Sequence, residues 1–149
     1  MDVKYRSIGV INTQYKSAGG IPIQPSRAKG VKGRVTLFKK YADGLKDIDG
    51  FSHIILLYHF HLSENYSLSV VPFLDNKPRG LFATRAPNRP NPIGLSVVKL
   101  IKIENNVLHI ENVDIVDETP LLDIKPYVRE FEDPEELKIG WLTNKIEFK

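Results

Sequence analysis

Arg85 and Arg89 stand four residues apart in Ala83-Thr84-Arg85-Ala86-Pro87-Asn88-Arg89-Pro90-Asn91-Pro92, a ten-residue string with three prolines. Each proline fixes its own φ and pushes the preceding residue toward extended geometry, so this loop is stiff before any ligand arrives. Guanidinium groups displayed on such a backbone suit an anionic or planar partner, because their fork pairs bidentately with carboxylate or phosphate. The plainer reading is a proline-rich corner between two strands. A second block runs from Asp114 through Asp117, Thr119 and Asp123 to Lys125 and Tyr127. Asp123, Lys125 and Tyr127 alternate by two and share one face of an extended segment. Carboxylates here can accept a proton, bind an adenine amino group or pair with Arg85 and Arg89. Asp114, Asp123 and Tyr127 are therefore candidate catalytic groups, and Arg89 and Lys125 are candidate substrate contacts. Asp117 and Thr119 read as stabilisers of the turn through hydrogen bonds to the backbone. His59 and His61 share a strand face but lack a third ligand at suitable spacing, so no metal site is expected; they read as pocket-wall histidines.

Several chemistries are excluded. There is no cysteine, hence no disulfide, thiolate metal site or cysteine nucleophile. The chain has no strand-GxGxxG-helix unit, Walker loop, GxSxG elbow or HExxH helix, so a nucleotide-like cofactor must be held in some other way. No stretch approaches a membrane span, and Met1-Asp2-Val3-Lys4-Tyr5-Arg6 is not followed by the apolar core of a signal peptide, which predicts a soluble cytoplasmic protein. The net charge of +3 conceals an asymmetry: residues 1–102 carry 16 basic and 6 acidic groups, residues 103–149 carry 5 and 12. Val3–Ala42 and Asn76–Val98 contain no acid at all. If the two segments meet, they form a positive surface able to hold phosphate groups; if not, they are solvated basic faces.

The elements that must position these groups are mostly strands. Ile8–Asn12 and Val31–Phe38 are β-rich, the latter with Val31, Val35 and Leu37 on one face and Lys32 and Arg34 on the other. Phe51–Leu62 is nearly continuous in apolar residues and predicts a central strand covered on both faces. Leu95–Glu104 and Val107–Val116 flank Asn105-Asn106, which predicts a hairpin with a type I′ turn. Short strands are expected at Ser69–Phe73 and Leu121–Ile124. Helical signals are confined to a turn near Asp43–Ile48, stopped by Gly50, and to Asp133-Pro134-Glu135-Glu136, where Asp133 can cap and Pro134 can open the helix. With 149 residues, the expectation is one domain over 1–149, all-β and mainly antiparallel, a small barrel or closed sandwich with few short helices.

The strings GLFATRAPNRPNPIGLS, DETP followed by LDIKPY, DGLKDIDGFSHIILLYHFH, and IPIQPS after an IGVI strand together resemble the TrmO (TsaA-like) family of tRNA N6-threonylcarbamoyladenosine methyltransferases. The resemblance runs from about Ile8 to Tyr127. It implies a small β-barrel, a homodimer, S-adenosylmethionine as methyl donor in a site that is neither Rossmann nor knotted, and methylation of a modified adenosine just 3′ of the anticodon of a threonine tRNA. Carried over by position, the implied cofactor contacts are Pro25, Ser26 and Arg27, then His61 and Leu62, Arg85 and Leu95, and Glu111, Asn112, Val113 and Asp114. Glu118 departs from the family pattern, standing where a Gly is usual; such a Gly would permit positive φ or close backbone approach. Some members carry a C-terminal extension that this sequence does not include. Two other functions compatible with the same residues are a non-catalytic RNA- or nucleotide-binding barrel and a methyltransferase of this fold acting on a small molecule.

Overall fold

A computed structural model of the chain describes residues 1–17 and 28–146. Its strands are β1 (Gly9–Asn12), β2 (Lys32–Leu37), β3 (His53–His59), β4 (Ser69–Val70), β5 (Arg79–Gly80), β6 (Ile93–Glu104), β7 (Val107–Glu111) and β8 (Thr119–Pro126). Six of them close into an antiparallel barrel in the order β1-β2-β7-β6-β3-β8, with β8 pairing back onto β1, while β4 and β5 form a separate hairpin. Closure leaves each barrel strand with partners on both sides and turns alternate side chains inward. Ile11, Val35, Ile54, Leu56, Val98, Leu108, Ile110 and Leu121 fill the interior. Truncating one of these to Ala opens a cavity and costs about 2–5 kcal/mol.

Closure also corrects the expected two-sided burial of the apolar strand. In β3 only Ile54, Leu56 and Tyr58 are buried, whereas Ile55 and Leu57 line a half-exposed outer face. The strand ends at His59, and the chain turns through His61 and Leu62, so His59 and His61 do not share a strand face. Val107–Val116 is likewise shorter than expected, since Asn112 at φ +66 ends β7 at Glu111. The Asn105-Asn106 hairpin forms, but only Asn105 has positive φ, so its turn is not type I′. Asn106 is held by Leu37, whose N–H it accepts at its carbonyl (2.9 Å) and whose carbonyl its side-chain amide reaches (2.7 Å).

Near Asp43 the chain forms 3-10 turns at Lys39–Leu45 and Ile48–Gly50, so Gly50 lies inside the second turn rather than stopping the first. The helix expected from Asp133 is absent. A single α-turn, α1 (Arg129–Glu132), ends there, and Asp133 is extended (ψ 102°) because the residue before Pro134 is steered away from helix. Nor do the two acid-free segments adjoin in the barrel: β7, carrying Glu111, stands between β2 and β6.

Two bulges decide which side chains face out. Between β3 and β8 the register passes from Leu57↔Asp123 to Tyr58↔Leu121, leaving Leu122 without an opposite number. That extra residue shifts the alternation, so Leu121 and Ile124 pack on the core while Asp123 and Lys125 face outward as an ion pair at 3.0 Å. Between β6 and β7 the extra residue is Ile101, which is left on the surface.

Candidate functional site at one mouth of the barrel

Strand polarity gathers the ends of β1, β3 and β7 and the starts of β2, β6 and β8 at one mouth of the barrel. The loops entering and leaving there include the proline-rich segment, the His61-Leu62 turn and the Asn112–Glu118 connection. Pro25, Ser26 and Arg27, which precede β2, lie outside the described residues.

At this mouth a polar chain descends into the core. The Ser96 hydroxyl donates to Oδ1 of Asp114 at 2.7 Å, and the Tyr58 hydroxyl lies 2.8 Å from Ser96 Oγ. A hydroxyl has one proton to give, so Ser96, donating to the carboxylate, accepts from Tyr58. Tyr58 is 4% exposed and Ser96 6%. Burial pushes the Tyr58 phenol up to about 12; the Ser96 bond and the Arg85 charge oppose that rise, and the Asp114 charge adds to it.

Gly94 makes the chain possible. A Cβ there would lie 2.6 Å from Tyr58 Cζ and 2.8 Å from Phe60 Cζ, so the phenol ring can cross β6 only over a glycine. Phe60 meets the Tyr58 ring edge-on, with centroids 5.4 Å apart. Neither Ser96 nor Tyr58 stood out in the sequence. The available signal was a hydroxyl at an inward position of β6, in register with Val98 and Leu100, and a phenol at the end of Ile54-x-Leu56-x-Tyr58.

The proline-rich loop is braced by its own arginine. Arg89 Nη1 donates to the carbonyls of Thr84 (2.9 Å) and Ala86 (3.0 Å), approaches that of Leu81 at 3.4 Å, and the guanidinium lies over the Phe82 ring. Arg85 in the same loop is exposed and makes no ion pair among the described residues. Trp141 donates its indole N–H to the Ala83 carbonyl (2.7 Å) and is covered by Arg79, tying the C-terminal segment to the loop.

The other candidates are dispersed. Thr119 Oγ1, which donates to Val116 O, has Nδ1 of His61 at 3.5 Å, and Leu62 is exposed beside it. Leu95 and Glu111 lie on the outer barrel wall, Val113 is wholly buried, and the Asn112 side chain accepts the N–H of Gly30 (2.8 Å). Asp117 is structural: it accepts from Thr13 N–H (2.9 Å) and Asn12 Nδ2 (3.1 Å) and pairs with Lys16 (2.6 Å). These contacts, the Lys16 bond foremost, hold its carboxyl down at about 2. Asp123 sits midway along the outer wall, and Lys125 and Tyr127 lie toward the opposite mouth, where Tyr127 N–H meets His53 O at 3.2 Å. The length of β3 separates that end from His59 by about 20 Å, so one chain does not bring Lys125 and Tyr127 to Asp114.

Two open grooves of about 450 and 480 Å³ run along the outer faces of β1, β2 and β7, and neither includes Asp114, Ser96 or Arg85. Among the described residues no group of three His, Asp or Glu side chains is placed to hold a metal, and no helix is long and apolar enough to cross a membrane.

A closed antiparallel barrel with a carboxylate and a loop-borne guanidinium at one mouth defines a small-barrel protein whose polar site is built without a βαβ unit. More specifically, residues 10–133 match the tRNA-methyltransferase O N-terminal domain, and the chain belongs to that family. It is 52% identical over 142 residues to a probable S-adenosyl-L-methionine-binding protein of Pyrococcus abyssi, covering 95% of this chain and 77% of that protein. It is 36% identical over 135 residues to the tRNA (adenine(37)-N6)-methyltransferase of Escherichia coli, covering 84% of this chain and 57% of that enzyme. The crystal structure of TrmO from Pseudomonas aeruginosa superposes with a TM-score of 0.79 at 33% identity, over 95% of this chain and 63% of that one. The chain thus spans roughly three fifths of the length of the latter two.

Proposed function

We propose that this protein is an S-adenosylmethionine-dependent tRNA methyltransferase that methylates N6 of the threonylcarbamoyladenosine beside the anticodon, acting in the cytoplasm as a homodimer. The observation that carries this reading is a carboxylate anchored in the core at the barrel mouth into which a braced, guanidinium-bearing loop leads, in a chain of the tRNA-methyltransferase O family. The donor set fits the cofactor. Its carboxylate suits Arg85, and its ammonium and sulfonium suit the field of Asp114. When bound, S-adenosylmethionine supplies a methyl group on a sulfonium and is left as a neutral thioether.

The chain's own groups contribute position and proton acceptance. Prolines 87, 90 and 92, with the Arg89 brace, hold Arg85 in place before binding, so little loop ordering remains to be done on encounter. The acceptor nitrogen carries an N–H and is a poor nucleophile while it keeps that proton. Asp114 Oδ2 accepts the proton as nitrogen gains the methyl group. Oδ1 is held by Ser96, no other donor reaches the carboxylate among the described residues, and Asp114 is only half-buried, so Oδ2 is the oxygen left for the acceptor. A single-stranded anticodon loop with splayed bases is the form of RNA that such a mouth can receive.

The homodimer is supported by the outer face of β6, where Ile93, Leu95 and Val97 are 44%, 49% and 37% exposed beside Leu57 and Ile55 of β3. Such an apolar sheet face calls for a cover, and a second copy of the same face is self-complementary. The reading is tested by supplying labelled methyl donor with threonylcarbamoylated tRNA, the same tRNA lacking that group, and a small-molecule pool. Label entering the modified tRNA alone is the expected result. Label entering only small molecules overturns it.

A further inference from the structure

We infer that Ser96 and Tyr58 are positioning residues for methyl transfer: through a buried hydrogen-bond chain they fix Asp114 so that one carboxylate oxygen is anchored and the other is presented to the acceptor nitrogen. This rests on the methyltransferase reading above and adds two residues to it. Three features of the geometry carry it. The chain is directional, since Asp114 takes the only proton of Ser96 and Ser96 must then take that of Tyr58 (2.7 and 2.8 Å). Its two hydroxyls are buried in the barrel end while the carboxylate is only half-buried, so the anchor lies in the core and the working atom lies at the mouth. Finally, Gly94 leaves the Tyr58 ring the room it occupies across β6, a space that any side chain at that position would fill.

A carboxylate on a loop samples several rotamers, and only some of them aim an oxygen at a given nitrogen. Ser96 removes that freedom at Oδ1, and Tyr58 in turn removes the freedom of the Ser96 hydroxyl. The raised ionisation of Tyr58 keeps it a donor throughout the neutral range, so the direction of the chain does not change with pH there. Neither hydroxyl touches substrate. Their effect belongs on turnover rather than on donor binding, because a misplaced acceptor group costs rate at the transition state.

The test combines a ligand-free spectroscopic readout with kinetics. In the free protein, proton NMR should show a slowly exchanging hydroxyl resonance that disappears in Tyr58→Phe and is therefore assigned to Tyr58. Asp114→Ala, which removes the acceptor to which Ser96 donates, should shift or abolish that resonance. In methyl-transfer assays, Ser96→Ala and Tyr58→Phe should each lower kcat about ten- to a hundredfold with the donor KM changed little. The double variant Tyr58→Phe/Ser96→Ala leaves no buried hydroxyl unpaired, so it retains the fold and shows the same loss. Wild-type kcat in a folded double variant overturns the proposal, as does a Tyr58 hydroxyl signal indifferent to Asp114→Ala. A wild-type protein that methylates no RNA at all overturns the underlying reading instead, and the hydroxyl signal separates the two failures.

Discussion

Arg89 Nη1 sits 2.9 Å from the carbonyl of Thr84, five residues earlier in the chain, and this bond closes the proline-rich loop on itself. The same nitrogen reaches the Ala86 carbonyl, so one guanidinium satisfies two backbone acceptors that a loop without regular structure would leave to water. The bonds are charge-assisted and their donor group is planar. A lysine ammonium on a flexible stem cannot reproduce both with the stacking on Phe82.

Arg89→Lys should therefore lower stability by about 1–2 kcal/mol in urea unfolding and weaken methyl transfer through a loosened Arg85. If Arg89 served substrate alone, the variant would unfold at the wild-type urea concentration and only the KM for tRNA would rise.

Glu118 occupies left-handed backbone at φ +63, a conformation that a glycine adopts without steric cost. Glu118→Gly should raise stability by about 1 kcal/mol, seen as an increase of a few degrees in Tm. A Tm that falls would show that the Glu side chain holds the turn by contacts outweighing its backbone strain.

Asp117 has a folded-state value of about 2, below its ordinary 3.8. A depressed carboxyl contributes stability that is complete above the unfolded value and is lost as pH falls through the folded one. Stability should thus decline between about pH 4 and pH 2 by about 1–2 kcal/mol, reduced from the full linkage value because its partner Lys16 is 76% exposed. Asp117→Asn should be less stable at pH 7 and show a flatter acid limb in chemical denaturation from pH 5 to 2. Parallel limbs for both proteins would assign the acid sensitivity to other carboxylates, Asp75 with Arg79 first among them.

Leu95 lies 49% exposed at the centre of the apolar outer face of β6. Leu95→Glu should convert a dimer to a monomer in solution scattering while leaving the barrel melt nearly unchanged, since the residue contributes nothing to the interior. A wild-type protein that is monomeric at every concentration would assign this face to some other contact.

Much of the architecture follows from local pattern. Alternation in Lys32–Leu37, the apolar run around Ile54–Tyr58 and the Asn105-Asn106 turn are properties of neighbouring residues, and they specify strands and a hairpin without reference to the rest of the chain. The prolines around Arg89 likewise mark a rigid loop by covalent geometry alone. The sequence motifs also carried the family, which the matching residues 10–133 bear out. The pairing of β8 with β1, and with it the meeting of loops far apart in sequence at one mouth, was decided only by tertiary closure, because strand order depends on which edges remain to be satisfied. The same holds for side-chain direction. A bulge of one residue at Leu122 turned Asp123 and Lys125 to the outer wall, and strand length carried Tyr127 to the far end, neither of which a period-two pattern can foresee. Ser96 and Tyr58 were invisible for a related reason. A lone hydroxyl in an apolar strand acquires meaning only when Asp114, from a loop eighteen positions away, is brought to within 2.7 Å of it.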